Sequence, residues 1–133
     1  MNAFVIELKN IPGEMARATE TLAEKGINVL PCGFGAADQF LLGFVAADED
    51  RSRTALKGAG IPFRELPVVT VSLEDRPGTA AAANRVLADR GVNIEAFFPV
   101  GCEEGRYTFA LCVDDVETAR RALGDQVVEF TYR

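Results

Sequence analysis

The sequence contains no histidine and only three cysteines, Cys32, Cys102 and Cys112. An odd number of cysteines without close pairing argues against a disulfide framework and is typical of a reducing compartment. Without histidine or a Cys-x-x-Cys spacing, the chain offers few ligands for zinc or another transition metal. We therefore expect no metal site, no cofactor and, because a catalytic base is scarce as well, no enzyme activity.

Long hydrophobic runs are also missing, since no stretch approaches the roughly 18 apolar residues of a membrane span. The first eight residues include an acid, Glu7, where a signal peptide would continue its apolar region. The net charge of −6 makes the surface repel phosphate backbones on average. We expect a cytoplasmic protein that binds neither a membrane nor nucleic acid.

The sequence does contain a repeat, because one pattern occurs twice at a constant spacing of sixty-five residues. Pro12-Gly13 returns as Pro77-Gly78, and Gly26-Ile27-Asn28-Val29 returns as Gly91-Val92-Asn93-Ile94. Eleven positions of the two repeats are identical, and several of them are Pro, Gly or Asn, which have special backbone geometry. Units this small bury modest cores, so we expect the two to share an interface.

Both repeats predict the same order of strands and helices. For the first repeat we expect strands over 4–8, 27–34, 40–46 and 61–66, and helices over 14–25 and 51–57. For the second we expect strands over 68–73, 92–100, 107–113 and 127–132, and helices over 79–90 and 116–123. The order βαββαβ predicts an α+β fold of two tandem units, residues 1–66 and 67–133. In each unit we expect both helices on one face of a four-stranded antiparallel sheet, and the two sheets packed side by side.

A Pro-Gly turn stands directly before the first helix of both repeats. The start of a helix has unpaired backbone N–H groups and a partial positive charge, which favour a carboxylate or phosphate. Gly13 and Gly78 remove the β-carbon that would keep a ligand away. Proline is also common at ordinary helix starts, so for one copy alone the purely structural interpretation is the stronger.

An asparagine, Asn28 or Asn93, opens the second strand of each repeat. Its amide is both a donor and an acceptor, and we expect it near the Pro-Gly turn if the helix returns antiparallel to the strand. The alternative is that the asparagine only completes the turn after the helix.

The repeated pattern of a strand, Asp/Asn-x-Pro-Gly, a helix with alanine and leucine, and Gly-Ile/Val-Asn-Ile/Val resembles the ACT domain family, small regulatory modules of amino-acid metabolism. Asn10-Ile11-Pro12-Gly13 and Asp75-Arg76-Pro77-Gly78, with the two asparagine motifs, extend the resemblance over nearly the whole chain. The resemblance implies ferredoxin-like units associated side by side, with a free amino acid bound at the interface between units. The ligand-binding positions that it implies are Asn10, Ile11, Pro12, Gly13, Glu14, Met15, Asn28, Val29, Asp75, Arg76, Pro77, Gly78, Thr79, Ala80, Asn93 and Ile94.

The two turns differ in chemistry, so their pockets are not equivalent and one of them can be empty. Met15 and Ala80 stand where the family often has leucine. Ala80 either faces the core and leaves room for a ligand, or only favours the helix. We expect a non-catalytic sensor that transmits amino-acid binding as a change in assembly, either as a homo-oligomer such as a dimer or with a regulated enzyme.

Three other functions are compatible with parts of the sequence. An enzyme would depend on Cys102 or Glu103-Glu104, which fall in an expected hairpin where solvated acids are ordinary. An RNA-binding module would need an open aromatic face, but Phe97-Phe98, Tyr107 and Phe109 have the spacing of core and interface residues. The nearest competitor is a regulatory or assembly subunit that binds a biosynthetic enzyme or another protein without a small ligand.

Overall fold

A computed structural model of the chain describes residues 1–133, which divide into two units. One unit comprises residues 2–66 and 131–133, and the other comprises Met1 and residues 67–130. No helix is long and apolar enough to span a membrane. The elements in chain order are β1 (Asn2–Lys9), α1 (Glu14–Ala23), β2 (Val29–Ala36), β3 (Gln39–Ala46), α2 (Glu49–Gly58), β4 (Arg64–Glu74), α3 (Thr79–Asp89), β5 (Ile94–Glu103), β6 (Arg106–Val113), α4 (Val116–Leu123) and a short 3-10 helix (Gly124–Gln126).

In the first unit, β3 lies between β2 and β1 and is antiparallel to both. Successive side chains of a strand point to opposite faces, so Phe4 and Ile6 of β1 share one face, and both are fully buried. The helix α1 packs into the same core with Ala18 and Leu22, which are four residues apart and lie on one helix face. Phe4 stacks on Phe44 with ring centroids 5.1 Å apart.

The second unit has the same arrangement, with β6 between β4 and β5 and antiparallel to both. Val69 and Val71 of β4 form a buried cluster with Leu111 of β6. Leu87 of α3 and Leu123 of α4 complete this core from the helices. The antiparallel pairing and the helices packed on it confirm the predicted α+β class.

Three expected strands differ from the observed ones. The strand expected over 61–66 begins only at Arg64 and continues into the one expected over 68–73, so that both form the single strand β4, because Pro67 between them fits the extended backbone that proline favours. The strand expected over 127–132 does not form. Val127 makes only an isolated bridge to Val71. Beside it, the N–H group of Val128 donates to the carbonyl of Thr70 at 2.9 Å, and no later residue makes a backbone hydrogen bond to β4.

The strands β2 and β5 begin two residues later than expected, at Val29 and Ile94. The reason lies in how the preceding helix ends. The N–H group of Ile27 donates to the carbonyl of Leu22 at 3.1 Å and so completes the C-terminal cap of α1. The corresponding bond in the second unit measures 3.0 Å. These residues therefore belong to the helix caps, and the strands begin after them.

Candidate functional site

The helices α1 and α3 both begin at a glycine without a side-chain cap. Gly13 and Gly78 have positive φ angles of 90° and 95°, a region that glycine enters without steric cost. In contrast, the carboxylates of Asp48 and Asp115 cap α2 and α4 by accepting from an N–H group three residues later, at 2.9 and 3.1 Å. The two Pro-Gly turns therefore leave their helix N–H groups available to another acceptor.

The space in front of both turns is open. A β-carbon placed on Gly13 or Gly78 would meet no heavy atom within 4 Å. The neighbouring Pro12 and Pro77 are exposed as well. A small anion can therefore approach the backbone at either helix start.

The start of α1 carries an acid of its own, Glu14. Its carboxylate accepts from the N–H group of Lys9 at 3.4 Å and pairs with Arg17 at 3.2 Å. An acidic first residue already interacts favourably with the positive end of the helix, and its charge repels a second carboxylate. The first turn is therefore poorly suited to bind an anion.

The first turn of α3 contains no acidic residue. Thr79 stands where α1 has Glu14, and its hydroxyl donates to the backbone carbonyl of Glu74 at 2.7 Å. The N–H groups of Ala80 and Ala81 have no backbone acceptor. This helix start therefore keeps an uncompensated positive end, which favours a ligand carboxylate.

The residues that open the two turns also differ in their contacts. Asn10 donates from Nδ2 to the carbonyl of Ala37 at 3.0 Å, and its amide lies 2.9 Å from the position that a β-carbon on Gly35 would take. Asp75 is held only by its backbone N–H group, which donates to Gly105 O at 2.8 Å. Its exposed carboxylate has no partner. Asn10 is thus a structural residue, whereas Asp75 is free to accept from an ammonium group.

This difference predicts opposite consequences for alanine substitutions at the two positions. We expect Asn10→Ala to lower the free energy of unfolding by about 1 kcal/mol, because it removes the hydrogen bond to Ala37. We expect Asp75→Ala to change it by less than about 0.5 kcal/mol, as is usual for an unpaired surface group. Urea denaturation of both variants measures this, and equal losses would contradict the assigned contacts.

Charged side chains surround the second turn. Arg76 Nε lies 2.6 Å from Glu74 Oε2, and Arg106 Nη1 lies 3.7 Å from Glu74 Oε1. The Arg76 guanidinium, with a smaller contribution from Arg106, holds the pKa of the Glu74 carboxyl below its usual value. In the first turn the apolar Ile11, which is 58% exposed, stands where the second has Arg76. Only the second turn therefore carries an exposed cation within the turn itself.

The strand-opening asparagines do not lie near the turn of their own unit, so that prediction was wrong. Because β1 and β2 are both antiparallel to β3, they run parallel to each other. Lys9 at the end of β1 is opposite Gln39, whereas Val29 is opposite Ala46. These two positions of β3 are about 23 Å apart at roughly 3.3 Å per residue. Asn28 is therefore at the far end of the sheet from its turn.

Both asparagine side chains are exposed and have no hydrogen-bond partner within the chain. The carbonyl of Asn28 accepts from Ala47 N at 3.0 Å, and the N–H group of Asn93 donates to Asp114 Oδ1 at 2.9 Å. Their backbones thus hold the openings of β2 and β5. Their amides remain available, but not to the turn in the same unit.

The remaining predicted site residues divide between core and surface. Ala80 is half-buried and packs against the second core, which settles the choice between its two interpretations in favour of the core. Val29 and Ile94 are half-buried and also pack against the cores. Met15 is 38% exposed and lies on the surface of α1.

Two further residues lie near the second turn that the sequence analysis did not identify, Glu74 and Arg106. They are direct partners on β4 and β6. Arg106 also donates to the hydroxyl and the carbonyl of Ser72 at 2.9 and 3.0 Å. Nothing in their sequence spacing indicates this pairing, because it depends on the register between strands.

A cleft of about 630 Å³ lies between α1 and α2. Its walls include Glu24, Lys25, Asp50 and Arg51, and small residues such as Gly58 line the rest. None of the predicted site residues borders it. The candidate site is thus an open turn rather than a preformed cavity.

The aromatic residues of the second unit pack as the core interpretation predicted. The ring centroids of Phe97 and Phe109 are 4.6 Å apart, and those of Tyr107 and Phe109 are 6.0 Å apart. Phe97 and Phe109 contact the buried core, and Phe98 is 4% exposed. These rings therefore do not form an open platform for stacking bases. Cys102, the nucleophile considered above, is exposed.

Comparison with known proteins identifies part of this chain. The family model described as the ACT domain matches residues 67–126. The structure is similar to that of a protein from Bacteroides thetaiotaomicron, with a TM-score of 0.81, 24% sequence identity and coverage of 96% of this chain and 90% of that one. It is also similar to the regulatory subunit of aspartate kinase from Thermus thermophilus, with a TM-score of 0.62, 24% identity and coverage of 91% and 88%. For the corresponding subunit from Thermus flavus the values are 0.65, 23%, 92% and 88%. No curated protein matches the sequence.

An ACT domain is therefore found in residues 67–126, the part of the chain that contains α3 and its turn. The similar structures establish the fold, which is α+β and ferredoxin-like with an antiparallel sheet. The predicted resemblance is confirmed for the second repeat, and for the first it stays a prediction.

Proposed function

We propose that this chain is a non-catalytic regulatory module that binds a free amino acid at the start of α3 and transmits binding as a change in assembly. The observation that carries the proposal is the uncapped start of α3 beside the unpaired carboxylate of Asp75. The N–H groups of Ala80 and Ala81 would donate to the ligand's carboxylate, and Asp75 would accept from its ammonium group. A free α-amino acid has both of these charged groups, the carboxylate and the ammonium, attached to one carbon atom.

The ACT domain found over residues 67–126 supports a regulatory role. We further propose that the chain is a tandem protein of two ACT-like units. Residues 1–66 form one unit, and residues 67–133 form the other, which contains the matched ACT domain. The repeated element order and the repeated Pro-Gly and Gly-x-Asn motifs support this division. In this proposal residues 1–66 have lost their own ligand, because Glu14 occupies the helix start and Asn10 is fixed in the hairpin.

The positions of the asparagines support a proposal about assembly. Since Asn93 is at the far end of its own unit from the start of α3, we propose that its amide reaches a ligand only in a second copy of the protein. The ligand would then favour the dimer over the monomer, because it contacts both copies only in the dimer. We place this homodimer in the cytoplasm, where a regulated enzyme would be its partner.

Thermal unfolding against each of the twenty common amino acids at millimolar concentration tests the proposal. A ligand that binds only the folded state raises its stability, by about 2.7 kcal/mol at a hundred times the dissociation constant. We expect a selective rise with one or a few amino acids. The absence of a rise with any of them would contradict the proposal.

A glutamate at the first position of α3, where α1 has Glu14, should weaken amino-acid binding. We expect Thr79→Glu to weaken amino-acid affinity by about tenfold or more, since its carboxylate competes for the same N–H groups. The free energy of unfolding should change by less than about 1 kcal/mol, because the favourable helix charge offsets the lost hydrogen bond to Glu74. Titration calorimetry measures the affinity, with Glu14→Thr in α1 as the matched control. Unchanged affinity in Thr79→Glu would place the ligand elsewhere.

One surface feature favours a second candidate function, a subunit that binds a biosynthetic enzyme or another protein without a small ligand. Phe34 is 76% exposed and lies directly opposite Leu41, which is 46% exposed, on the hairpin of β2 and β3. Neighbouring exposed apolar side chains are typical of interaction surfaces. Recovery of the same enzyme by the immobilised protein, with or without amino acids, would support this function over the first.

A further inference from the structure

The guanidinium group of Arg76, in the turn before α3, is held by an exposed ion pair. Its partner, Glu74, is two residues away, and the two side chains are 65% and 53% exposed. Exposed ion pairs contribute little to stability, because water and salt screen them. Arg76 can therefore exchange Glu74 for another carboxylate at small cost.

A second cation remains with Glu74 when Arg76 leaves. Arg106 Nη1 lies 3.7 Å from Glu74 Oε1. Arg106 is itself fixed by hydrogen bonds to Ser72, at 2.9 Å to the hydroxyl and 3.0 Å to the carbonyl. Its position is thus set by the strand pair β4 and β6 and does not depend on the turn.

Arg76 is also next to the helix start. The first N–H group of α3, that of Thr79, donates to the carbonyl of Arg76 at 3.4 Å. The backbone of Arg76 is therefore adjacent to the N–H groups that would receive the ligand. A flexible arginine side chain at this position can reach a carboxylate bound there, and its planar donors match a carboxylate in pairs.

We infer, on the basis of the proposed function, that Arg76 is a specificity-determining residue that leaves Glu74 and donates to the carboxylate of the bound amino acid. Arg106 keeps the charge of Glu74 compensated during this exchange. The site then selects ligands with a free carboxylate over the corresponding amides and amines. The first turn lacks this function, because Ile11 stands in the place of Arg76.

Two substitutions in the same ion pair test the inference, because they should change affinity in opposite directions. In calorimetric titration with the amino acid that gives the largest thermal shift, Arg76→Gln should bind about tenfold more weakly. Glu74→Gln should bind more tightly, by roughly threefold, because Arg76 no longer has to leave a carboxylate. Arg85→Gln is the matched control, since Arg85 pairs only with Asp89 on the surface of α3.

A purely structural ion pair gives a different result. If the pair only holds the turn, both substitutions should weaken binding alike, and the inference is wrong. It is also wrong if Arg76→Gln binds as tightly as the unsubstituted protein, although the proposed function then stands. If the unsubstituted protein binds none of the twenty amino acids, the proposed function fails and this inference with it. Thermal unfolding of each variant without ligand confirms that it is folded.

Discussion

We expect Gly78→Val to abolish the thermal stabilisation that an amino acid gives the protein. Gly78 has a φ of 95°, a region that β-branched residues almost never adopt, so the turn must rearrange and displace the first N–H groups of α3. The new side chain would stand in the open space where a ligand approaches, since no atom lies within 4 Å of its β-carbon. Thermal unfolding with and without the amino acid measures the effect.

The repeat offers a matched control for this substitution. Gly13 has a φ of 90° and the same open surroundings, so Gly13→Val imposes the same backbone strain, about 1 to 2 kcal/mol. We expect it to lower stability to a similar extent and to leave the ligand effect intact. A Gly78→Val variant that still responds to the amino acid would exclude α3 as the binding site.

The largest loss of stability is expected from Leu87→Ala. Leu87 is fully buried in the second core and fixes α3 on the sheet. Removing such a side chain costs about 2 to 5 kcal/mol, from lost burial and from the cavity that remains. Because α3 presents the candidate site, amino-acid affinity should fall as well.

The adjacent residue is the control for this second prediction. Val86 is 37% exposed, and alanine has the higher helix propensity, so Val86→Ala should change the free energy of unfolding by less than about 1 kcal/mol. Urea denaturation with an unchanged slope would show a true difference in stability. Equal losses in the two variants would contradict the packing of α3 described above.

The helices were predictable because their signals are local. The bounds of α4, residues 116–123, were predicted to the residue, since an acidic cap precedes it and Gly124 follows it. The strand expected over 127–132 had the right composition, but a strand also needs a partner along its length. Only Val127 and Val128 pair with β4, and no local pattern shows where such pairing ends.

The candidate site was predictable only in part, for a related reason. The Pro-Gly turns and helix starts are local features and were found from the repeat. The fixed position of Asn10 depends on contact with Gly35 in the hairpin, and the pairing of Glu74 with Arg106 depends on strand register. The predicted position of Asn28 was wrong, because the prediction took account of the direction of α1 and not of its length. The length of α1 carries the chain to the other end of the sheet.

The most direct test of the central claim is an NMR titration of the nitrogen-15-labelled protein with the amino acid that stabilises it. The account predicts that the amide resonances of Thr79, Ala80 and Ala81 shift in proportion to occupancy, while those of Gly13 and Glu14 stay in place. Shifts confined to the first turn, or no shift at the start of α3 when the ligand is saturating, would contradict it.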